Sequence, residues 1–356
     1  MEENNFTSGG GYTPYPVYQP YGQGGGLRFA PVSPEEKRAI KKNYSGAFRQ
    51  AVIHSIGSLV LANIIFVAMT LSGYEFRVND EGTQIIDTPY AIAAMLPSIV
   101  FCISLFLFDK GSSKNKLSDY FRSDRITAGT VFGFFGILML IYPICIILQQ
   151  ILLTGCFAAG FSPIKEEYLS EDDLSAVYLV WDFVLGALLA PIGEELFFRG
   201  VILRRLSTVS QRFAIFVSAL IFGMMHGNLL QTILGFGIGV VFAYTAVKTG
   251  SLILPVAGHI FINTAALSIS VVTYLTDDDT ANAYWLGLLG VFFVVGMVTL
   301  IIVLLKKKIS FPRSTEYHSK RTFPIMLACV SFWVMAAVYV IDIVTKFGPV
   351  TDKLLE

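Results

Sequence analysis

"LLAPIGEELFFRG", residues 188–200, ends an apolar stretch with two carboxylates, Glu194 and Glu195, and with the guanidinium of Arg199. The chain around it is 54% hydrophobic and only 15% charged, and its mean hydropathy is +0.63. Because a soluble chain carries roughly 25% charged residues, the composition predicts that a lipid bilayer is the solvent. An ionised side chain is costly in that setting, so these three residues are candidates for a function.

Apolar runs of about 20 residues recur along the chain after the first fifty residues. A helix of that length crosses a hydrocarbon core of ~30 Å at 1.5 Å per residue. We therefore predict an all-α fold, a polytopic transmembrane helix bundle of about nine spans. The predicted spans are approximately 51–72, 90–108, 127–152, 176–198, 213–229, 231–248, 252–274, 284–305 and 324–345.

The charged residues between the predicted spans are sorted by sign. Lys and Arg gather before the first span and after the second, fourth, sixth and eighth, whereas the other loops are acidic or nearly uncharged. Because cytoplasmic loops carry an excess of Lys and Arg, we expect a cytoplasmic N-terminus in a multi-pass cell-membrane protein. The Tyr- and Gly-rich N-terminal segment and the compact loops favour a bacterial plasma membrane.

Four regions follow from this pattern. The regions are a cytoplasmic tail over 1–45, N-terminal transmembrane helices over 46–172, a region with the unusual polar residues over 173–275, and C-terminal transmembrane helices over 276–356. The tail is predicted to be disordered, since a segment so rich in Gly, Pro and Tyr cannot bury enough surface to fold.

Several classes of site are excluded or weakened by the composition. The net charge is zero, so a basic face does not organise the chain and we expect no nucleic-acid partner. The four cysteines contain no CxxC pair, which argues against a disulfide framework or a thiolate metal site. Gly235 and Gly239 form a GxxxG motif, and helix packing explains it better than nucleotide binding does.

Three places break the apolar pattern inside the predicted spans. They are Glu194-Glu195-Leu-Phe-Phe-Arg199, Phe222-Gly-Met-Met-His226 and His259-Ile-Phe-Ile-Asn263. Glu195 and Arg199 have the favourable i, i+4 order for a helical ion pair, which leaves Glu194 without a partner in its own segment. The cationic residues nearest to each place should mark the cytoplasmic surface of the membrane. Measured from them along the helix, all three places lie at similar depths of ~15–22 Å. Each place alone could be an anchor or an interhelical contact, but together they predict one buried polar site.

The residue types in this constellation suit the activation of water. A buried Glu beside a neutral His can hold one water molecule and deprotonate it. A second His with an Asn on the same helix face supplies hydrogen-bond donors for a developing oxyanion. Glu194, His226, His259 and Asn263 could instead ligate zinc, but HExxH is missing and the spacing alone does not decide between the two.

The three motifs EExxxR, FxxxH and HxxxN resemble, in this order, the CPBP or "Abi" family of intramembrane endopeptidases, which includes the type II CAAX prenyl endopeptidase and bacteriocin-immunity relatives. The resemblance covers roughly residues 175–270 and makes 173–275 a catalytic core. It implies that Glu194 and His226 activate the water, and that His259 and Asn263 stabilise the oxyanion. It also implies that Glu195, Arg199 and Phe222 support the site. The family has been described both as metalloprotease and as glutamic protease.

We therefore predict an intramembrane endopeptidase that hydrolyses a peptide bond of a peptide or protein substrate within the bilayer. We assign no metal and expect no cofactor, with zinc as the alternative. The CAAX substrate is not carried over, because most bacteria lack prenylated proteins. The rival prediction is a non-catalytic membrane protein: a bacteriocin-immunity or scaffold factor, or a small transporter using the same polar cluster.

Overall fold

The computed structural model describes residues 34–77, 86–112, 116–163, 175–207, 210–306 and 323–349. The described residues form a bundle of nine helices longer than ten residues, which confirms the predicted all-α membrane fold. The helices are α1 (Pro34–Leu71), α2 (Thr88–Gly111), α3 (Ala128–Ala158), α4 (Ala176–Leu206), α5 (Gln211–Met224), α6 (Leu229–Thr249), α7 (Ile253–Leu275), α8 (Asp278–Leu305) and α9 (Val330–Val344). Two-residue strands, β1 (Phe161–Ser162) and β2 (Gly348–Pro349), pair antiparallel at the end of the bundle.

Seven of these helices in the described residues are long and apolar enough to cross a membrane, and α5 and α9 are shorter. The fifth predicted span ends early because Gly227 has a φ of +70°, a left-handed conformation that ends the helix, and Asn228 then caps α6. The ninth is interrupted at Cys329, whose extended backbone separates α9 from a helical turn at 323–327. The prediction of nine full spans is therefore corrected to seven long helices and two short ones.

The described part of the chain begins at Pro34, inside the predicted N-terminal tail. Residues 1–33 lie outside the described part of the chain, but residues 34–45 already belong to α1. Proline suits the first turn of a helix because its missing N–H has no intrahelical partner there. The charged residues from Pro34 to Tyr44 therefore continue into the apolar part of α1 without a break, and the tail boundary at residue 45 stays a prediction.

Helix α4 carries the unusual polar residues and lies inside the bundle. Its residues Phe197, Phe198, Val201 and Ile202 are completely buried in the main apolar core. By contrast, α1 and α8 leave many large apolar side chains exposed, as helices facing lipid do. The candidate site therefore sits on a central helix, where charged groups can find partners away from lipid.

An ionic contact fixes the end of α4 against α2. Asp109, at the end of α2, is buried, and its carboxylate accepts hydrogen bonds from Arg204 and Arg205. The Nε atom of Arg205 lies 2.9 Å from Oδ1 of Asp109. Charge-assisted bonds of this kind are strong and directional, so they set the axial position of α4 and of its two glutamates.

The GxxxG motif of α6 packs against α5, which confirms the interpretation of those glycines. A Cβ added at Gly235 would lie 2.8 Å from the Cα atom of Gly223, and one added at Gly239 would lie 3.1 Å from the ring of Phe222. Small residues allow two helices to approach this closely. The approach brings the Phe222 ring against α6, next to the candidate site.

A second close approach, between α3 and α8, leads to a stability prediction. A Cβ added at Gly296 would lie 2.6 Å from the Cα atom of Leu140, whereas one added at Gly290 would meet no described atom within 4 Å. We expect Gly296→Ala to lower the free energy of unfolding by about 1–3 kcal/mol, as overpacking does. Gly290→Ala, the matched control on the same helix, should leave it unchanged or slightly higher. Thermal unfolding in detergent compares the two, and equal midpoints would contradict this packing.

Candidate active site

The helix that carries the glutamates is not a regular α-helix. Within α4, the segments Phe183–Leu189 and Phe198–Leu203 are π-helical, and they flank the α-helical segment Ala190–Phe197 that contains Glu194 and Glu195. π-helical turns are rare and frequently occur at functional sites. Because a π turn holds more residues than an α turn, it also changes which side chains face the neighbouring helices.

Glu195 is the centre of a buried polar network. Its Oε1 atom accepts hydrogen bonds from Nη1 of Arg199 at 2.8 Å and from Nδ1 of His259 at 3.0 Å. The Nη2 atom of Arg199 also donates to the carbonyl oxygen of Gly239 at 3.3 Å. Glu195 and Arg199 are completely buried, and their predicted i, i+4 ion pair is confirmed. The network ties α4 to α6 and α7.

Aromatic rings enclose this network. The guanidinium carbon of Arg199 lies 4.4 Å from the ring centre of Phe222 and 5.2 Å from that of Phe242. The same two rings contact the imidazole of His259, with centroid distances of 5.6 Å and 5.2 Å. Cations are stabilised over aromatic faces. Sequence reasoning missed Phe242 and the carbonyl of Gly239, for which the only signal was their i, i+3 spacing on one helix face.

Glu194 faces the other nitrogen of the same histidine. Its Oε2 atom lies 3.8 Å from Nε2 of His259, which is longer than a hydrogen bond. Oε2 is buried and has no hydrogen-bond partner among the described residues, and the side chain as a whole is 14% exposed. His259 thus stands between two carboxylates, with Nδ1 directed at Glu195 and Nε2 at Glu194.

His226 lies in a turn and not inside a helix, which corrects its predicted position within the fifth span. Helix α5 ends at Met224, and Nδ1 of His226 lies 3.0 Å from the carbonyl oxygen of Phe222. A carbonyl only accepts, so Nδ1 is assigned as the donor. The imidazole contacts the ring of Phe222, with centroids 5.2 Å apart. Among the described residues His226 has no hydrogen bond or ion pair with Glu194, and the Phe222 ring, which contacts both imidazoles, links it to His259.

Asn263 lies one turn after His259 on α7, and its amide points toward α4. Its Nδ2 atom donates a hydrogen bond to the carbonyl oxygen of Gly186 at 2.9 Å. Gly186 belongs to the first π-helical segment. A carboxamide has two N–H donors, so this bond orients the Asn263 side chain and leaves its second N–H for another acceptor.

The turn that carries His226 depends on a glycine. Gly227 has a φ of +70°, and a Cβ there would lie 2.6 Å from Oδ2 of Asp342 on α9. Gly160 has a similar φ of +84°, but an added Cβ would meet no described atom within 4 Å. Gly160→Ala therefore introduces the same backbone strain without a steric clash.

We expect Gly160→Ala to destabilise the protein by about 1–2 kcal/mol through its left-handed backbone alone. Gly227→Ala should cost about 0.5–1.5 kcal/mol more, since the exposed Asp342 side chain must turn aside. Thermal unfolding of both variants in detergent separates the strain from the clash. Equal losses of stability would show that α9 does not press on this turn.

The zinc alternative named Glu194, His226, His259 and Asn263 as ligands. In the described ranges, no group of three His, Cys, Asp or Glu side chains is arranged to hold a metal ion. The Nδ1 atoms of His226 and His259 are already engaged by a backbone carbonyl and by Glu195. A metal-ligating histidine also bonds a carboxylate or a carbonyl through its other ring nitrogen, so these bonds do not decide between the two chemistries and the zinc alternative stays a prediction.

Comparison with known proteins covers the same part of the chain. Residues 176–265 match the family described as "Type II CAAX prenyl endopeptidase Rce1-like", a segment that contains all four candidate catalytic residues. The resemblance carried by the three motifs is confirmed. The Rce1-like segment includes α4 to α6 and the first half of α7, and it leaves α1 to α3, α8 and α9 outside the match.

A named relative agrees with this match. The chain is 31% identical over 94 residues to "Putative membrane peptidase YdiL" of Bacillus subtilis (strain 168). That alignment covers 26% of this chain and 38% of the relative, so the chain matches well under half of the relative's length. No solved structure matches the chain. The comparisons support a CAAX-protease-like membrane peptidase, a multi-pass protein of the lipid bilayer.

Proposed function

We propose that the protein is an intramembrane endopeptidase that hydrolyses a peptide bond with water activated by Glu194. One observation carries this proposal. A buried carboxylate oxygen with no hydrogen-bond partner in the described chain faces an imidazole nitrogen at 3.8 Å, inside a bundle of membrane helices. Intramembrane carboxylates without a function are rare because they are costly, and the Rce1-like match supports the reaction class.

The separation of the Glu194 and His259 atoms suits one bridging water. A water oxygen about 2.8 Å from both atoms makes a hydrogen bond to each of them. In the proposed reaction this water attacks the carbonyl carbon of the scissile bond, and its proton passes to Oε2 of Glu194. His226, with Nε2 as the ring nitrogen that is not bound to the backbone, is proposed to orient the water, the role that the resemblance implies.

The attack turns the carbonyl oxygen into an oxyanion. We assign its stabilisation to the second N–H of Asn263 and to the Nε2–H of His259, which leaves the attacking water for the oxyanion as the new C–O bond forms. Removing one such donor from other enzymes raises the barrier by about 3–4 kcal/mol. When the tetrahedral intermediate collapses, the C–N bond breaks and Glu194 returns the proton to the leaving nitrogen. The products are a carboxylic acid and an amine, which together hold both protons of the water, so atoms and charge balance without a metal ion in any step.

Glu195 and Arg199 act on the site by holding His259. The Nδ1 bond to Glu195 fixes the imidazole ring and directs its Nε2 toward Glu194. Phe222 closes one side of the network and contacts both histidines. These three residues are positioning residues and not participants in bond making.

The proposed orientation places the N-terminus in the cytoplasm of a bacterial cell. Arg204 and Arg205, bound to Asp109, would then mark the cytoplasmic interface. Glu194 lies ten residues from Arg204, which corresponds to ~15 Å along a helix. A substrate would therefore reach the site from the cytoplasmic half of the bilayer.

Comparing peptide termini in cell membranes tests the reaction class without knowledge of the substrate. Cells producing the wild-type chain, Glu194→Ala or Glu75→Ala are compared by mass spectrometry of new N- and C-termini. Glu75 is exposed outside the site and is the matched control. We expect shared new termini with the wild type and Glu75→Ala and none with Glu194→Ala. Identical termini together with intact biological function in Glu194→Ala cells would instead support the non-catalytic class. Metal analysis of the purified protein tests the zinc alternative separately.

A further inference from the structure

A second polar position in the membrane bundle lies away from the network of Glu195. A small, partly open cleft lies between the start of α2 and the start of α4, near the opposite end of α4 from Arg204. Asp182, Tyr178 and Trp181 line it from α4, and Thr88 and Met95 line it from α2. The cleft is distinct from the space between Glu194 and His259.

The Asp182 carboxylate has no counter-charge in the described chain. It lies seven residues into the membrane-spanning helix α4 and is partly buried. It makes no hydrogen bond or ion pair with another described residue. A carboxylate in such a place is costly unless a cation accompanies it. The charge therefore points to a ligand that brings a positive group.

The aromatic side chains around Asp182 favour the same kind of ligand. Tyr178 and Trp181 lie four residues and one residue before it and line the same cleft. Aromatic faces attract ammonium and guanidinium groups, and the attraction increases when water is excluded. Interfacial anchoring explains a Tyr and a Trp near a helix end, but it does not explain a carboxylate beside them that has no partner among the described residues.

The cleft adjoins the candidate active site through Gly186. A Cβ added at Gly186 would lie 2.5 Å from Oδ1 of Asp182 and 3.0 Å from Cε of Met95. The carbonyl oxygen of the same Gly186 accepts the hydrogen bond from Asn263. A peptide that reaches from Glu194 along α4 would thus pass the Asn263 amide before it reaches Asp182.

We propose that this cleft is a specificity subsite that binds the ammonium or guanidinium group of a Lys or Arg side chain in the substrate. Asp182 precedes Glu194 by twelve residues, which is ~18 Å along a helix. An extended peptide covers about 3.3 Å per residue, so the basic residue lies about five residues from the scissile bond. This assignment rests on the proposed function, because it concerns the substrate of that same site.

Binding measurements test the subsite independently of cleavage. The full chain with Glu194→Gln, purified in an uncharged maltoside detergent that supplies no cationic group, is titrated with a fluorescent peptide series. In this series one Lys is moved along an otherwise uncharged sequence, and norleucine, of similar length but without the charge, replaces it in the control peptides. We expect at least tenfold tighter binding for Lys over norleucine at one position. A second substitution, Asp182→Asn, should abolish this preference and leave norleucine binding unchanged.

Further variants keep the test decisive. Asp279→Asn removes an exposed acid on α8 and should retain the Lys preference. Asp182→Lys should reverse it, so that a Glu-bearing peptide binds more tightly than the Lys peptide. A Lys preference that persists in Asp182→Asn, or that is missing from the starting protein at every position, overturns the subsite. Displacement of the Lys peptide by phosphatidylethanolamine at lower concentrations than the peptide also overturns it. Since affinity alone is read, failure of cleavage in the wild type would count only against the proposed function.

Discussion

Glu194→Gln is expected to lower kcat for peptide cleavage about a thousandfold while the fold stays intact. The amide has nearly the same shape as the carboxyl group, but it cannot take a proton from water. General acid–base groups contribute about 10²–10⁴ in rate, and in the proposed mechanism Glu194 acts twice, first as base and then as acid. The measurement is cleavage by the purified protein under saturating peptide, with Glu75→Gln as the control on an exposed glutamate.

The prediction for Glu194→Gln also concerns the stability of the variant. The Oε2 atom of Glu194 has no hydrogen-bond partner among the described residues, so the substitution removes a buried charge without breaking a bond. We therefore expect an unchanged or higher unfolding temperature beside the loss of activity, the combination typical of residues kept for function. Unchanged kcat would eliminate Glu194 as the base. If Glu194→Gln is inactive because it does not fold, Glu194→Ala and Glu194→Met are measured as well. These variants show whether the shape of the side chain or its acid–base chemistry is required.

Local spacing accounts for what could be predicted from the sequence. The lengths of the apolar runs predicted most of the membrane helices, because a bilayer requires about 20 residues per span. The i, i+4 order of Glu195 and Arg199 predicted their ion pair, which depends on one helical segment only. The GxxxG motif likewise predicted a close helix contact, since the small size of glycine is a local property.

Contacts between helices account for what could not be predicted. Gly227 ends α5 before His226, because a single left-handed residue interrupts an apolar run that has no polar break. Two π-helical segments rotate the faces of α4, and no residue pattern in the chain marks them. The Nδ1 bond from His259 to Glu195 joins positions 64 residues apart, so the spacing could place both at one depth but could not choose between the two glutamates as its partner.

The Glu195–Arg199 pair leads to the second large effect, on stability. Glu195→Ala removes the Glu195 carboxylate from the Arg199 guanidinium, which keeps the Gly239 carbonyl and two aromatic faces. Removing one partner from a buried ion pair costs about 3–5 kcal/mol, so we expect a loss of that size in the free energy of unfolding. Replacing both members with apolar residues of similar size, Glu195→Leu with Arg199→Met, should recover most of it, because the desolvation of both charges is removed together.

The double variant separates the two roles of the Glu195–Arg199 pair, because its stability should recover while its kcat stays low. His259 loses the acceptor of its Nδ1 in both variants, so its Nε2 is no longer directed at Glu194. Outer partners that orient a metal-ligating histidine contribute about 10–100-fold. We expect a loss of similar size in kcat here, and we expect it to remain in the double variant despite its recovered stability. Denaturation in detergent and cleavage assays on the same preparations measure both quantities. Recovery of kcat together with stability would mean that Glu195 only balances the charge of Arg199, and that the orientation of His259 does not depend on it.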